Sequence, residues 1–111
     1  MKYIKKYEVT NFDTKKFIDK TDKKRDEYKK YIGKYIVFNN INNNKIGKLI
    51  SEDTQYYFRI DVYDYDNIYK GYNVSPRDFH IITFDIIKSF DTFAEAKEGY
   101  EIVENSNKYN L

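Results

Sequence analysis

Between Tyr56 and Tyr63 the chain alternates without a break: Tyr56, Phe58, Ile60 and Val62 share one parity, and Tyr57, Arg59, Asp61 and Tyr63 share the other. Successive side chains of a strand point to opposite faces, so this segment reads as a strand with one face in a core. A strand cannot satisfy its own backbone, and neighbours must be found for it. Lys34 to Phe38 is a β-branched and aromatic run, Asn39 to Asn44 is rich in residues that tolerate left-handed geometry, and Lys45 to Ser51 resumes alternation, which together predict a hairpin. Glu52 to Gln55 reads as a polar turn leading into the Tyr56 strand. Beyond that strand, Asp64 to Gly71 reads as a loop, Ser75-Pro76-Arg77-Asp78 as a turn and Phe79 to Phe84 as a further strand. Tyr3, Lys5, Tyr7 and Val9 share a parity too, and predict a short strand opening the chain.

Two segments carry helical spacing instead. Asp13 to Ile32 has no Gly or Pro and is dense in Lys, Asp and Glu, with Phe17, Thr21, Tyr28 and Ile32 at helix-compatible intervals. Asp13 or Thr14 is placed to cap its start, and Gly33 to end it in a left-handed conformation. The apolar stripe thins at Lys24 and Arg25, so either one helix or two short ones separated near Thr21 and Asp22 fit. Near the end of the chain, Thr92 followed by Glu95 is a capping box. It opens a helix whose stripe of Phe93, Ala96, Tyr100 and Val103 should pack on the sheet, with Gly99 inside it costing about 1 kcal/mol relative to Ala.

Helix, strands and helix in that order predict one α+β domain over residues 1–111: a small antiparallel sheet or an SH3-like, partly open barrel, with an N-terminal charged helical segment and a C-terminal amphipathic helix. The run Gly33-Lys34-Tyr35-Ile36-Val37-Phe38, a polar turn, then Lys45-Ile46-Gly47-Lys48-Leu49-Ile50 resembles the opening hairpin of SH3-like small barrels, including the KOW type. The resemblance covers Gly33 to Ser51. It implies a docking module for peptides, proteins or nucleic acid rather than an enzyme.

Charge is divided along the chain. Residues 1–50 hold 14 Lys and Arg against 6 Asp and Glu, while residues 51–111 hold 6 against 12, so the formal net of +2 conceals two opposite halves. Such polarity suits binding: one surface for a polyanion, another for a basic partner. Lys, Ile, Tyr and Asn together supply 55 of the 111 residues, all from AT-rich codons, which discounts the lysine excess as a sign of base reading; arginine, the usual bidentate partner of guanine, occurs only at Arg25, Arg59 and Arg77. Thirteen tyrosines exceed what a core of this size can bury with satisfied hydroxyls, so several should face solvent, where Tyr is a common contact residue.

Cysteine is absent, excluding disulfides, thiolate nucleophiles and Cys-ligated metals. The first residues lack the apolar core of a signal peptide and no segment has the length of a membrane span, so the expectation is a cytoplasmic chain that makes no membrane contact. Neither cofactor nor metal is expected. His80, the only histidine, sits beside Phe79 and Ile81 in an apolar run and reads as structural, since a catalytic triad has no other members here. Glu95-Ala96-Lys97 spells the acidic-x-Lys element of many nucleases, but Glu95 is committed to the cap and no acidic strand motif precedes it. Asp64 and Asp66 lack the further ligands of a calcium loop.

Two surfaces remain. Asp61, Tyr63, Asp64, Tyr65 and Asp66, extended by Tyr69 and Tyr72, interleave carboxylates with rings at the end of the clearest strand. If that strand runs on, Asp61, Tyr63 and Tyr65 share its solvent face, a surface complementary to a basic groove made for nucleic acid. The plainer alternative is a strand end running into a solvated loop. The basic stretch Lys23, Lys24, Arg25, Lys29 and Lys30 is the second, a phosphate-binding face or else a salt-laced helix surface shared with Asp19, Asp22, Asp26 and Glu27. The expectation is a non-catalytic protein that docks on a protein partner through the acidic, tyrosine-rich half, with nucleic-acid binding by the basic half as the alternative. By analogy with the accessory factors of phages and mobile elements, the partner would be a host nucleic-acid-binding or defence protein.

Overall fold

A computed structural model describes the backbone of residues 2–109 and the side chains of residues 15–106. A long helix α1 (Lys2–Lys29) precedes five strands, β1 (Tyr35–Asn40), β2 (Asn43–Thr54), β3 (Tyr57–Asp66), β4 (Gly71–His80) and β5 (Phe84–Phe90), and helix α2 (Phe93–Tyr109) closes the chain. A single 3-10 turn, Ile81–Thr83, separates β4 from β5. The strands form one sheet in the order β4-β3-β2-β1-β5, each neighbouring pair antiparallel, with β4 and β5 as its unclosed edges. This is the small α+β architecture read from the sequence, with an open sheet rather than a closed barrel.

The alternation sets the core from Phe58 onward; Tyr56 lies outside β3, at φ 71° in a turn shortened to Gln55–Tyr56 because β2 runs on through Glu52 to Thr54. Phe58, Ile60 and Val62 are fully buried on one face of β3, beside Ile36 and Phe38 of β1 and Leu49 of β2. Tyr28, Ile81 and Phe84 close this cluster from α1, the 3-10 turn and the start of β5. Phe38 meets Phe79 and Phe84 edge-on at centroid separations of 5.6 and 6.0 Å. Each such buried side chain stabilises the fold by roughly 1.5–3 kcal/mol. Gly47 sits in the middle of this face, where a Cβ would stand 2.5 Å from Ile60 Cγ2 and 3.1 Å from Phe38 Cε1, so the two large side chains meet over a position that only glycine can fill.

The opposite face takes α2. Phe93 lies 4.8 Å from the ring of Tyr63, 5.2 Å from Tyr72 and 6.1 Å from Tyr35, and Ala96 is fully buried one turn later, as the stripe predicts. The cap forms with Glu95 N–H donating to Thr92 Oγ1 at 3.2 Å, while the Glu95 carboxylate accepts from the Thr92 hydroxyl at 2.9 Å. Gly99 exposes its α carbon to the ring of Phe90, which occupies the space a side chain would need.

Several boundaries differ from the expectation. Residues 3–9 are helical, the start of an α1 that runs unbroken to Lys29, so neither the opening strand nor a cap at Asp13 or Thr14 forms. Lys5, Lys6 and Glu8 are good helix formers, nothing from Lys2 to Lys29 interrupts the helix, and no strand lies alongside to make use of the alternation. Thr21 passes within the single helix by donating its hydroxyl to the Phe17 carbonyl at 2.7 Å. Gly33 is left-handed as expected, φ 92°, but it does not cap the helix: α1 ends at Lys29, single turns over Lys30 to Ile32 follow, and the Gly33 N–H reaches the Leu49 carbonyl at 2.6 Å. Ser75 to Asp78 is no turn but the middle of β4. Pro76 is tolerated there because an edge strand has one row of N–H groups with no ladder to serve. Phe79 to Phe84 is likewise not one strand: β4 ends at His80, whose Nδ1 accepts from Ile82 N–H at 3.3 Å to start the 3-10 turn, and β5 begins at Phe84.

Candidate functional site

The β3–β4 hairpin carries most of the acidic and tyrosine residues singled out in the sequence, and β3 does run on to Asp66. Its turn is built by one carboxylate. Asp66 Oδ1 accepts from the backbone N–H groups of Ile68 at 2.8 Å and Tyr69 at 3.4 Å, and Oδ2 accepts from Asn73 Nδ2 at 2.9 Å. These bonds, that from Ile68 first, hold the Asp66 carboxyl below the usual carboxylate range. Lys70 completes the reversal at φ 52°. The consequence is a fixed tip from which Ile68 and Tyr69 project, 84% and 80% exposed.

The remaining residues are distributed over both faces of the strand. Asp61, Tyr63 and Tyr65 share a parity, but Tyr63 is half-buried beneath α2 rather than facing solvent; burial raises its phenol pKa, reinforced by a hydrogen bond with Tyr35. Tyr65 stays exposed, its ring 5.3 Å from that of Tyr72. Asp64 points to the other side, between Lys45 at 3.9 Å and Arg77 at 3.7 Å, so part of its charge is already answered. Around it lies a polar cleft of about 230 Å³, walled by Asn44, Lys45, Tyr65, Tyr72 and Tyr100. The rings of Tyr65, Tyr72 and Tyr100 suit a lysine or arginine side chain, which gains a cation–π contact there. Ile68 was missed by the sequence reading. Its signal was an isolated apolar residue in a polar stretch, Asp66-Asn67-Ile68-Tyr69-Lys70, where nothing local asks for one.

The basic stretch is largely committed to the fold. Lys24 Nζ donates to the Phe84 carbonyl and to Asp85 Oδ1, each at 2.8 Å. Arg25 lies over the Tyr56 ring at 5.3 Å and within 4.0 Å of Asp22 and Glu52, and Lys29 reaches Glu52 at 3.3 Å. Lys23 and Lys30 are exposed. The stretch fastens the end of α1 to the sheet, which also explains the thin apolar stripe there.

His80 packs edge-on against Tyr57 at 4.9 Å besides starting the 3-10 turn, a structural role. Among the described residues no three His, Asp or Glu side chains converge as a metal site, and no helix is long and apolar enough to cross a membrane. No protein-family model, curated protein or solved structure matches the chain.

Proposed function

We propose that the chain is a non-catalytic binding protein that docks on a protein partner through the outer end of the β3–β4 hairpin. The observation that carries this reading is the pair Ile68 and Tyr69, held in water on a turn that Asp66 fixes with three hydrogen bonds. A turn backbone fixed before a partner arrives lowers the entropic cost of presenting these side chains. The adjacent cleft supports a basic partner, because the rings of Tyr65 and Tyr72 offer cation–π contact to a lysine or arginine side chain, as the groove of a nucleic-acid-binding host protein would present.

The test is capture of a partner from extracts of the native host, repeated after nuclease treatment and with purified partner. Replacing Ile68 and Tyr69 by Asp should abolish binding and leave the unfolding midpoint unchanged, since neither side chain packs in the core. Binding that survives both substitutions overturns the reading. Capture that nuclease treatment abolishes favours instead nucleic-acid binding through Lys23 and Lys30.

A further inference from the structure

A second surface lies at the other edge of the sheet. The register between β1 and β5 slips at Val37/Phe38, leaving Ile87 as an extra residue on β5. Neighbouring residues of a regular strand point to opposite faces, and a bulge re-aims them. Here Ile87 and Lys88 both line one groove of about 300 Å³ between β5 and α2, whose far wall is Gly99, Ile102 and Val103. The groove is apolar and open: Ile87 is 45% and Ile102 61% exposed.

The strand beside it has a free margin of limited extent. The outer side of β5 is covered at its start by α1, through Lys24 on the Phe84 carbonyl and Tyr28 on the Ile86 N–H. Beyond Ile86, among the described residues, no strand pairs with that edge. Among the described residues, the groove therefore adjoins the uncovered part of β5. Its rim is charged unequally: Glu95 and Glu98 stand on the helix side, while the single Lys88 on the strand side has its ammonium 5.5 Å from the Phe90 ring. Glu98 is exposed and forms no ion pair among the described residues.

We propose that this edge receives an extended segment of a protein partner, added to the sheet beside residues 87–90, with an apolar side chain in the groove and a lysine or arginine against Glu98. Backbone pairing supplies affinity in this mode, and the alternate side chains supply selectivity. Two carboxylates on the rim favour a basic segment and disfavour an acyl carboxylate. The site is separate from the β3–β4 tip and does not depend on its role.

The test uses a short synthetic peptide alternating lysine and valine, titrated against the isotopically labelled full chain and followed by amide chemical shifts. The expected result is saturable shifts confined to residues 87–90 and 98–103. Binding should be weakened by about fivefold or more by Glu98→Lys, the worth of one solvent-flanked ion pair. The same peptide N-methylated at alternate residues should not bind, and a glutamate–valine peptide should bind more weakly. No shift at millimolar peptide overturns the proposal. So does equal binding of the N-methylated or glutamate peptide, a fatty acid that shifts these amides while the peptides do not, or concentration-dependent self-association that shifts them with no peptide present.

Discussion

The backbone N–H of Ile86 donates to the hydroxyl of Tyr28 across 2.9 Å, joining the last turns of α1 to the edge strand β5. The ring that carries this hydroxyl is 7% exposed, tilted against Phe84 at 5.5 Å. Tyr28→Phe keeps the ring and removes the acceptor, leaving the Ile86 N–H without its partner. We expect a loss of about 1–3 kcal/mol in urea unfolding, with Tyr28→Ala costing about 3–5 kcal/mol because a cavity is added. An unchanged midpoint for Tyr28→Phe would show that water replaces the hydroxyl at no cost.

Gly99→Ala should destabilise the protein although alanine is favoured over glycine inside a helix by about 1 kcal/mol. The Phe90 ring occupies the position of the added methyl. Thermal unfolding of the single variant and of its combination with Phe90→Leu measures the conflict. The second substitution should recover part of the loss, since a smaller side chain leaves room for the methyl.

At the β1–β2 turn Ile41 and Asn42 have φ of 47° and 66°, the left-handed pair that a two-residue hairpin requires. For β-branched Ile41 this costs energy that asparagine or glycine would not incur. Ile41→Asn with Asn42→Gly should raise stability by about 1 kcal/mol. Ile41 is exposed, so no packing is lost, and a lowered urea midpoint would contradict the account.

The carboxyls and phenols whose pKa values folding shifts should make stability fall toward both the acid and the alkaline end of the scale. The folded protein holds Asp66 below its ordinary value through the Ile68 N–H, and Asp91 below it through its hydrogen bond from Lys34. A lowered carboxyl contributes stability that is present above its unfolded pKa and lost as pH drops through the folded one. Tyrosines behave in the opposite sense. Burial raises Tyr28, Tyr63 and Tyr100, and the hydrogen bond to Asp22 raises Tyr56, all from an ordinary 10.0. Their contribution is complete below that value and disappears as pH rises through the folded pKa values. Urea midpoints across pH check both limbs, and Asp66→Asn should shallow the acid limb alone.

How much of this was legible depended on whether a pattern was answered locally or at a distance. The Phe58–Tyr63 alternation, the Thr92–Glu95 cap and the α2 stripe are short-range patterns, and each forms where it was read; Tyr56 instead sits in the turn before β3 at φ 71°, and α1 ends at Lys29, ahead of Gly33. The Tyr3–Val9 alternation failed because a strand needs a neighbour, and none is supplied. Pro76 misled for a related reason: it forbids a central strand, and only the sheet order reveals that β4 is an edge. Asp66 looked like part of an exposed acidic patch, yet its oxygens are occupied by its own turn, which no spacing rule distinguishes from a free carboxylate. The groove beside β5 depends on a bulge, a slip of one residue between segments some 50 positions apart in sequence.

The ion pairs that fasten the fold link the two halves of the chain: Lys24 to Asp85, Lys29 to Glu52, Lys34 to Asp91 and Lys45 to Asp64. The basic and acidic halves thus act as each other's counter-ions. Before folding, their attraction should draw the chain together over distances that side-chain contacts cannot span, and a Debye length of about 10 Å at 0.1 M salt limits that reach. Refolding should accordingly slow as ionic strength rises. The polarity so conspicuous in the linear sequence would then act chiefly as a guide to the chain's own collapse, and much of it would be neutralised by the time a partner arrives.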